Sequence, residues 1–480
     1  MKTLQFEDFK LDPALLKSIK LLGYKKPTEV QEQVIPLLLK NMDIVVKSET
    51  GSGKTAAFAI PIIEQVNWDD NEPQVLVLTP TRELAQQVQE EMFNIGRFKR
   101  MKVSAVYGKS PIKSQIKELK QKTHIVVGTP GRVRDHIKRG TLNLSNIKYL
   151  VLDEADEMLN MGFVDQIESI LNELPRDYVM TLLSATLPEN ISELCNNYMS
   201  SPIIVEIETV TTKQQIKQVR YNVKKNEKMD LLLDLTTLEN PDSCIVFCNT
   251  RLEVDYVHKT LQKWSYPCQK IHGGMEQDDR TKVMKNFRKG YFRYLVATDV
   301  AARGIDIDDI SLVVNYDLPE EPEVYIHRIG RTGRQDKSGK ALSLVSSNDA
   351  YLLKSIQRLL DDEIPTEEKP SREAVESMRR EFEEKISERP ELRVEKSATL
   401  NTEILKLHIN AGKKTKMRAG DIVGALCNLE GMTADDIGNI GITDVSTFVE
   451  ILNNKGERVF KTLQETPIKG RLRTVSRANA

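Results

Sequence analysis

Short apolar runs alternate with amphipathic stretches along the first 207 residues of the chain. Typical runs are "DIVVKS", "QVLVLTP", "HIVVGTP", "YLVLDEAD" and "VMTLLSAT", and the same pattern returns later in "SCIVFCNT", "YLVATD" and "LVVNYD". Uninterrupted Val, Ile and Leu strands separated by helical patterns are typical of a parallel sheet that helices cover on both faces. The pattern therefore predicts an α/β fold with two such units in tandem, at residues 1–207 and 215–362.

The rest of the chain changes character twice. Residues 363–400 are rich in Glu and Arg and are bounded by proline, which predicts a solvated, partly helical linker. Residues 401–480 alternate again, through "TEILKLHINAG", "DIVGALCNLE", "STFVEILN" and "GERVFKTLQET". The order of these patterns predicts βαββαβ, a small α+β domain with one four-stranded sheet and two helices on one face.

The composition is that of an ordinary globular protein, with 40% hydrophobic residues, 29% charged residues and a net charge of -1. No apolar run approaches the roughly 18 residues of a membrane span, so no membrane partner is expected. Five cysteines without a CxxC pair and six scattered histidines favour neither a disulfide framework nor a metal cluster. We expect a cytoplasmic monomer, in which any nucleic-acid surface is a local basic patch balanced by acid elsewhere.

A glycine-rich loop follows the first apolar run. In "VVKSETGSGKTAAF" it lies between a predicted strand and a predicted helix, which is the setting that a phosphate-binding loop requires. Lys54 is expected to reach the β- and γ-phosphates, and Thr55 to bind Mg²⁺. The strict motif has glycine where Ser48 stands, and a glycine-rich turn with a chance lysine is the alternative. The expected nucleotide-binding loop comprises Ser48, Glu49, Thr50, Gly51, Ser52, Gly53, Lys54 and Thr55.

A second motif favours the nucleotide site over that alternative. The apolar run "YLVL" ends in Asp153, Glu154 and Asp156, three carboxylates within four residues that repel one another. A strand that ends in Asp is typical of a Walker B element, in which Asp153 faces the metal, and Glu154 is placed to position the attacking water. Mg²⁺ bridging the β- and γ-phosphates of ATP supplies the positive charge that these carboxylates need.

With these residues the chain resembles the DEAD-box RNA helicases, because positions 153–156 spell DEAD and the other motifs of that family are present. These motifs are "GYKKPTEVQ", "PTREL", "TPGR", "SAT", "IVFCNT", "HGGMEQDDR", "VATDVAARGID" and "YIHRIGRTGR", and the resemblance covers residues 1–360. The resemblance implies two RecA-like domains, RNA-dependent hydrolysis of ATP with Mg²⁺, and local unwinding of short RNA duplexes.

The resemblance also implies roles around the nucleotide. Gln31 is expected to read the adenine edge, Tyr24 to stack on the adenine ring, and Phe6 to support Tyr24. Closure of the two units is expected to bring arginines to the γ-phosphate, a contribution worth about 10³–10⁵ in rate. Asp306 is assigned to the ribose, and Arg331 and Arg334 are assigned to the γ-phosphate. Ser184 and Thr186 are expected to couple Asp156 to closure, and Arg328 to hold the acidic motif.

Contacts with the RNA backbone follow from the same resemblance, and such contacts bind without reading sequence. The expected residues are Thr81, Arg82, Gly108, Thr129 and Arg132 in the first unit and Arg280 and Thr298 in the second. The family often has two glycines where this chain has Gly108 and Lys109, which puts a close backbone contact at position 109 in question, although a lysine suits a phosphate. Bending one strand in this grip is expected to exclude its partner strand.

Two basic clusters mark the last domain, whose layout resembles the RNA-recognition motif. The tail as a whole resembles that of the bacterial DbpA group, which implies a hairpin of 23S ribosomal RNA in a pre-50S particle as the target, and a role in large-subunit assembly. Phe448 alone matches the expected stacking aromatics, and Lys406 stands where another is wanted, so binding by basic loops and shape is favoured. The clusters are Lys413, Lys414, Lys416 and Arg418, and Lys469, Arg471, Arg473 and Arg477.

Other functions stay open at this point. An RNA clamp or assembly scaffold would use the same ATP-timed closure with little true unwinding. A DNA helicase built from the same two units is the weaker alternative, because the DEAD spelling and "GYKKPTEVQ" belong to the RNA group. The tail, in turn, has the alternative of serving only for solubility.

Overall fold

A computed structural model describes residues 4–48, 51–207, 216–299, 310–333, 339–388, 390, 392 and 398–478. These residues form three sheets. By the density of its contacts the chain divides into two compact units, one with the first predicted α/β unit and the C-terminal domain, the other with the second predicted α/β unit. The predicted fold class is confirmed, since two parallel-sheet RecA-like domains precede a small antiparallel domain.

The first α/β unit is built on a seven-stranded parallel sheet. Its strands are β1 (Ile44–Lys47), β2 (Val75–Leu78), β3 (Val103–Val106), β4 (Ile125–Gly128), β5 (Tyr149–Leu152), β6 (Val179–Ser184) and β7 (Ile203–Glu206). They pair in the order β3-β4-β2-β5-β6-β1-β7. Strands β2, β4 and β5 are buried along their whole length, because helices cover both faces, and this burial explains their uninterrupted apolar runs.

Nine helices of the described residues accompany this sheet. They are α1 (Pro13–Leu21), α2 (Glu29–Leu38), α3 (Lys54–Gln65), α4 (Arg82–Ile95), α5 (Ile112–Leu119), α6 (Pro130–Lys138), α7 (Ala155–Asn160), α8 (Val164–Leu171) and α9 (Glu189–Tyr198). Helix α3 packs against α2 and α4. Its residues from Ala56 to Ile63 are all buried, which fixes the phosphate loop that precedes it.

The second α/β unit repeats this architecture with six parallel strands. The strands are β8 (Ile216–Asn222), β9 (Cys244–Phe247), β10 (Cys268–Ile271), β11 (Tyr294–Ala297), β12 (Leu312–Asn315) and β13 (Gly339–Val345), in the order β10-β11-β9-β12-β13-β8. The helices described here are α10 (Lys228–Glu239), α11 (Arg251–Lys263), α12 (Gln277–Arg288), α13 (Pro322–Ile329) and α14 (Ala350–Leu360).

The predicted solvated linker of residues 363–400 requires a correction. It contains helix α15 (Arg372–Ser387), which packs against α10 and belongs to the second unit. Phe382 is buried in the core of that unit, with its ring centroid 5.2 Å from that of Tyr266. Lys385 donates a hydrogen bond to the carbonyl of Asn240. Sequence reasoning missed this packing because an apolar stripe as sparse as that of α15 is easily hidden among charges.

The C-terminal domain has the predicted βαββαβ order. A short helix α16 (Ala398–Glu403) leads into β14 (Leu405–Ile409), α17 (Ala419–Cys427), β15 (Ile437–Ile442), β16 (Thr447–Ile451), α18 (Gly456–Leu463) and β17 (Val475–Arg477). The antiparallel sheet has the order β15-β16-β14-β17. Leu407, Ile409, Val449 and Ile451 pack with both helices, so the alternate residues of β14 and β16 lie on the opposite, open face.

Within the described ranges, no helix is both long and apolar enough to cross a membrane. Across the same ranges, no group of three or more His, Cys, Asp or Glu side chains is placed to hold a metal ion. All five cysteines are free thiols.

Candidate nucleotide and RNA-binding sites

The phosphate loop connects the end of β1 to the start of α3. Gly51 and Gly53 have φ angles of +83° and +92°, a conformation that side chains disfavour. A Cβ on Gly53 would lie 2.6 Å from Nε2 of Gln31, so this position also lacks room for a side chain. The first N–H groups of α3 therefore stand at the end of a glycine loop, where a helix terminus favours anions.

Lys54 and Asp153 both lie at the carboxyl end of the sheet, where their charges influence each other. Nζ of the buried Lys54 donates a 2.6 Å hydrogen bond to the carbonyl of Ser48. Burial raises the pKa of the Asp153 carboxyl, while the positive charge of Lys54 lowers it. The structure thus brings together the predicted phosphate-binding lysine and the predicted metal-facing carboxylate.

Asp156 is held by the segment that follows β6. Its Oδ2 accepts hydrogen bonds from the backbone N–H groups of Ala185 and Thr186, at 3.1 and 3.0 Å, and from Oγ1 of Thr186 at 3.0 Å. Oγ of Ser184 donates to the carbonyl of Thr186. The predicted group of Asp156, Ser184 and Thr186 is therefore assembled within the first unit, with Thr186 as its centre.

Glu154 has a backbone conformation that is rare outside glycine. Its φ and ψ angles are +52° and +53°, in the left-handed region, at the residue that precedes α7. Such a conformation costs on the order of 1–3 kcal/mol and is concentrated at functional sites. The turn lies between Asp153 at the end of β5 and Asp156 in the first turn of α7.

The residues predicted to surround the adenine take different positions. Tyr24 packs edge-on against Phe6, with ring centroids 6.2 Å apart, and its hydroxyl donates to Glu91 at 3.0 Å. Gln31 is buried, and its Nε2 donates to the carbonyl of Gly53 at 3.2 Å while its Oε1 accepts from Thr28 N at 3.1 Å. Gln31 therefore connects α2 to the phosphate loop, and its role toward adenine stays a prediction.

Thr28 is a residue that sequence reasoning missed. Its Oγ1 donates to the carbonyl of Ser52 at 2.9 Å, so it also anchors the phosphate loop. Thr28 lies three positions before Gln31 and forms a capping box with it at the start of α2. That spacing was the available signal, because a Thr followed three residues later by Gln is typical of a helix start.

The RNA residues predicted in the first unit follow three neighbouring strands. Thr81, Gly108 and Thr129 come after the carboxyl ends of β2, β3 and β4. A Cβ on Gly108 would lie 3.6 Å from the guanidinium of Arg82, so these two residues are close. Arg132 is fixed by hydrogen bonds to the carbonyl of Ser110 and to Gln115 Oε1, at 3.0 and 2.8 Å. The predicted contacts thus form one row at this edge.

Lys109, which departs from the family pattern, has a backbone conformation that is typical of glycine. Its φ angle is +56°, in the left-handed region, and the side chain is exposed. Lys109 therefore adopts a conformation that favours glycine, at some conformational cost.

In the second unit, Arg328 is held by several hydrogen bonds. It is 1% exposed, and its guanidinium makes a two-pronged contact with Asp299. It also donates to Asn249 Oδ1 at 3.0 Å and Asn315 Oδ1 at 3.2 Å. These partners all belong to the second unit, so Arg328 organises its own domain here, and its predicted hold on the acidic motif stays a prediction.

The other predicted residues of the second unit are only partly described. Arg280 lies buried in α12, Thr298 follows β11, and Arg331 is buried after α13 with its Nε donating to the carbonyl of His327 at 3.2 Å. The predicted residues Glu49, Thr50, Asp306 and Arg334 lie outside the described residues.

The two basic clusters of the C-terminal domain come together. Nζ of Lys469 donates to the carbonyl of Lys416 at 2.7 Å and to Asp421 Oδ2 at 2.8 Å. We call residues 413–418 and 469–473 the basic patch, and all its lysines and Arg471 are exposed. On the open face of the sheet, the rings of His408 and Phe448 lie 5.0 Å apart.

Three protein families match consecutive parts of the chain. Residues 28–194 match the DEAD/DEAH box helicase family, and residues 227–336 match the helicase conserved C-terminal domain. Residues 406–477 match the DbpA RNA binding domain. Each match covers most strands of one of the three sheets.

Relatives and solved structures agree with these matches. The chain is 51% identical to the ATP-dependent RNA helicase DbpA of Bacillus subtilis, over 99% of each chain. It is 43% identical to the DEAD-box ATP-dependent RNA helicase CshA of the same organism, over 74% of this chain and 72% of the relative. The solved structure of S. cerevisiae Dbp5 bound to RNA and ADP BeF3 matches with a TM-score of 0.71 and 34% identity, over 79% of this chain and 99% of Dbp5.

Proposed function

The chain belongs to the DEAD-box ATP-dependent RNA helicases, within the DbpA group, and on this premise we propose how its residues share the work. The phosphate loop and the DEAD carboxylates bind and hydrolyse ATP, and Arg331 and Arg334 reach the γ-phosphate when the two units close on RNA. The placement of Lys54 after β1 and of Asp153 after β5, at the same carboxyl end of the sheet, is the observation that carries this proposal. Lys54 binds the β- and γ-phosphates, and Asp306 binds the ribose.

The residues at this edge fit Mg²⁺. Asp153 is a buried carboxylate whose pKa is raised by burial, so its ionised form gains from a nearby cation, and Thr55 adds a hydroxyl oxygen. When bound, Mg²⁺ neutralises the charge that develops on the phosphate oxygens. Glu154 positions the attacking water and accepts its proton, and the left-handed backbone at Glu154, a conformation that is concentrated at functional sites, supports this role.

RNA binding and hydrolysis are coupled through Asp156. Its carboxylate ties the DEAD sequence to Thr186, so a shift of the segment after β6 is transmitted to Glu154 two residues before Asp156. The row of Thr81, Gly108 and Thr129 holds the RNA backbone without reading sequence. Arg280 and Thr298 add the grip of the second unit on closure. An RNA strand that is bent between the contacts of the two units can no longer pair with its complementary strand, and the duplex is unwound locally.

The target is selected by the C-terminal domain. We propose that the basic patch holds a hairpin of 23S ribosomal RNA within a pre-50S particle, and that the protein acts as a cytoplasmic monomer in large-subunit assembly. The match to the DbpA RNA binding domain and the convergence of the two basic clusters support an RNA partner for this domain. A pairing of His408 with Phe448, rather than an aromatic row, supports recognition by shape and charge.

ATP turnover with and without RNA tests the assignment of Glu154. Glu154→Gln is expected to keep ATP and RNA bound while hydrolysis falls about 10³-fold, because the water loses its base. Stopped-flow release of a fluorescent ATP analogue measures this trapping. Rapid release from Glu154→Gln, with turnover near that of the unchanged protein, would contradict the role.

Strand separation distinguishes unwinding from clamping. A short duplex beside a ribosomal hairpin is expected to be separated in an ATP-dependent manner by the full chain. Persistent binding without separation would favour the clamp. The identity of the hairpin is tested by ultraviolet crosslinking of the full chain to total cellular RNA, where one 23S segment is expected to dominate and to be lost in Lys414→Glu with Arg471→Glu.

A further inference from the structure

The C-terminal domain contacts the first α/β unit through a buried ion pair. Nε of Arg97 lies 3.1 Å from Oε2 of Glu450, and Nη2 lies 3.1 Å from Oε1. The side chains of Arg97 and Glu450 are 7% and 5% exposed. Arg97 also lies over the ring of Phe93, 4.7 Å from its centroid. An ion pair buried this deeply repays its desolvation only when its geometry is well matched, and this two-pronged contact meets that condition.

Further polar contacts surround this pair with a consistent division of charge. Lys17 of α1 lies 2.7 Å from Glu403, and Arg100 lies 3.1 Å from Asp435. Nζ of Lys102 donates to the carbonyl of Ile440 at 2.8 Å. In each of these contacts the cation belongs to the first unit and the acceptor to the C-terminal domain. Such complementarity fixes the register of an interface.

Apolar side chains complete the contact. Leu400, Ile404 and Leu452 from the C-terminal segment are buried in the hydrophobic core cluster of the first unit. Leu400 is fully buried, and Leu452 is 1% exposed. We call this contact surface, formed by these residues and the polar pairs around Arg97, the joint.

The joint lies away from the ligand-binding edge of the first unit. Residues 97–102 connect α4 to the amino end of β3, whereas the predicted nucleotide and RNA residues follow the carboxyl ends of the strands. On the C-terminal side, Glu450 stands on the open face of the sheet, opposite Gly438, where a Cβ would lie 2.9 Å from Cβ of Glu450. The basic patch stays exposed. Docking therefore covers part of the open face but neither the phosphate loop nor the patch.

We propose that the joint is a fixed attachment that holds the RNA-binding domain on the first helicase unit while the basic patch carries RNA. RNA captured by the patch then has one defined geometry relative to the row of Thr81, Gly108 and Thr129. Without the joint, the same RNA would be delivered only through the chain that leads from α15, at a lower effective concentration.

Zero-length crosslinking of the full chain tests the joint without RNA. A water-soluble carbodiimide joins amines and carboxylates in contact, so a Lys17–Glu403 crosslink, quantified by mass spectrometry, reports docking. Arg97→Glu and Glu450→Arg are each expected to lower this crosslink by about tenfold or more, since each leaves like charges buried together. The swap Arg97→Glu with Glu450→Arg is expected to restore it.

Two internal crosslinks separate loss of docking from loss of folding. Lys148 with Asp70, 3.4 Å apart, lies within the first unit, and Lys469 with Asp421, 2.8 Å apart, lies within the C-terminal domain. Both are expected to persist in every variant. A Lys17–Glu403 crosslink that survives either single reversal, or that the double swap fails to restore while the internal crosslinks persist, would overturn the joint.

RNA tests whether the joint stays closed in use, and this second readout rests on the proposed function. With a ribosomal hairpin RNA bound, the Lys17–Glu403 crosslink of the unchanged protein is expected to keep its yield. The RNA concentration for half-maximal ATPase is expected to rise about tenfold in the single reversals, with the maximal rate unchanged, and to recover in the swap. Loss of the crosslink on RNA binding, or a lower half-maximal concentration in the single reversals, would mean a latch that RNA opens and would contradict the proposal. Absence of RNA stimulation in the unchanged protein would refute the proposed function instead, and leave the crosslink result standing.

Discussion

The phosphate loop of the first unit and the basic patch of the C-terminal domain both place cations for phosphates, but they hold them in opposite ways. Lys54 is buried and donates a hydrogen bond to the carbonyl of Ser48. It follows Gly51 and Gly53, whose positive φ angles other residues disfavour. Lys414, in a short 3-10 helix, and Arg471, in an isolated β-bridge, are exposed. A buried cation in a fixed setting acts on one atom, whereas exposed cations add small, salt-screened contributions. Substitutions should therefore be costly in the first region and additive in the second.

Lys54→Ala provides the strongest test of this difference. ATPase at saturating RNA is expected to fall about 10³-fold, because no other group replaces a preorganised charge at the transferred phosphate. Lys47→Ala is the matched control, since Lys47 precedes the same loop, is 45% exposed and forms a 3.6 Å ion pair with Glu206. Its ATPase is expected to stay within about twofold. Equal losses in both variants would remove the distinction between buried and exposed lysines.

Asp156→Asn tests whether the hydrogen-bonded carboxylate couples the site. The substitution removes the charge that three donors of Ala185 and Thr186 share. RNA-stimulated ATPase is expected to fall about 10²-fold, because hydrogen bonds to a charged acceptor are the strong ones. Asp165→Asn, an exposed carboxylate on α8, is the control and should leave turnover unchanged. An unaltered rate in Asp156→Asn would refute the coupling.

Burial also affects the protonation of His124, a buried histidine of the first unit. Its ring nitrogens contact Lys102 N at 2.9 Å and the carbonyl of Trp68 at 3.1 Å. Burial lowers the pKa of His124 to about 4, with the charges of Lys122 and Lys102 adding to this effect. The neutral ring is therefore favoured in the folded state. Its contribution to stability is present above pH 6.5 and is lost as the pH falls toward 4.

The free energy of unfolding, measured by urea titration between pH 7 and 4.5, is expected to fall with a slope that His124 steepens by at most about 1.4 kcal/mol per pH unit. His124→Gln is expected to flatten this slope. His408, which is half-exposed on the open face, supplies the matched control His408→Gln. Identical slopes in all three proteins would show that His124 is not held neutral.

Charge reversal in the basic patch is expected to have the smallest effect per residue. Lys414→Glu and Arg471→Glu should each weaken hairpin RNA binding several-fold and reduce the salt slope by about 1, without changing ATPase at saturating RNA. Arg458→Glu, which is 60% exposed and pairs with Glu430, is the control. Fluorescence anisotropy over a salt series measures both quantities. A loss of RNA affinity as large as the loss of ATPase in Lys54→Ala, or one that does not depend on salt, would contradict the view that the patch binds RNA through exposed, salt-screened charges.

The phosphate loop, the DEAD carboxylates and the alternation of strands and helices were accessible to sequence reasoning because each is a local pattern along the chain. A loop such as residues 48–55 contains its own glycines, lysine and hydroxyl, and its flanking strand and helix follow from a local pattern. The same holds for the βαββαβ order of the C-terminal domain. The role of Gln31 was less accessible, because its contact with Gly53 joins residues 22 positions apart, and only the fold brings them together.

The sequence by itself therefore determined the two α/β units, the small third domain and the chemistry that each motif offers, because these depend on local periodicity and on neighbouring residues. Only the tertiary structure decided that α15 packs on the second unit, that the two basic clusters form one patch, and that Arg97 meets Glu450. These contacts join positions far apart in the chain, and a lone Arg or Glu in a sequence has no pattern that names its partner. Long-range charge pairing and burial are properties of the folded chain, which is why they had to be observed.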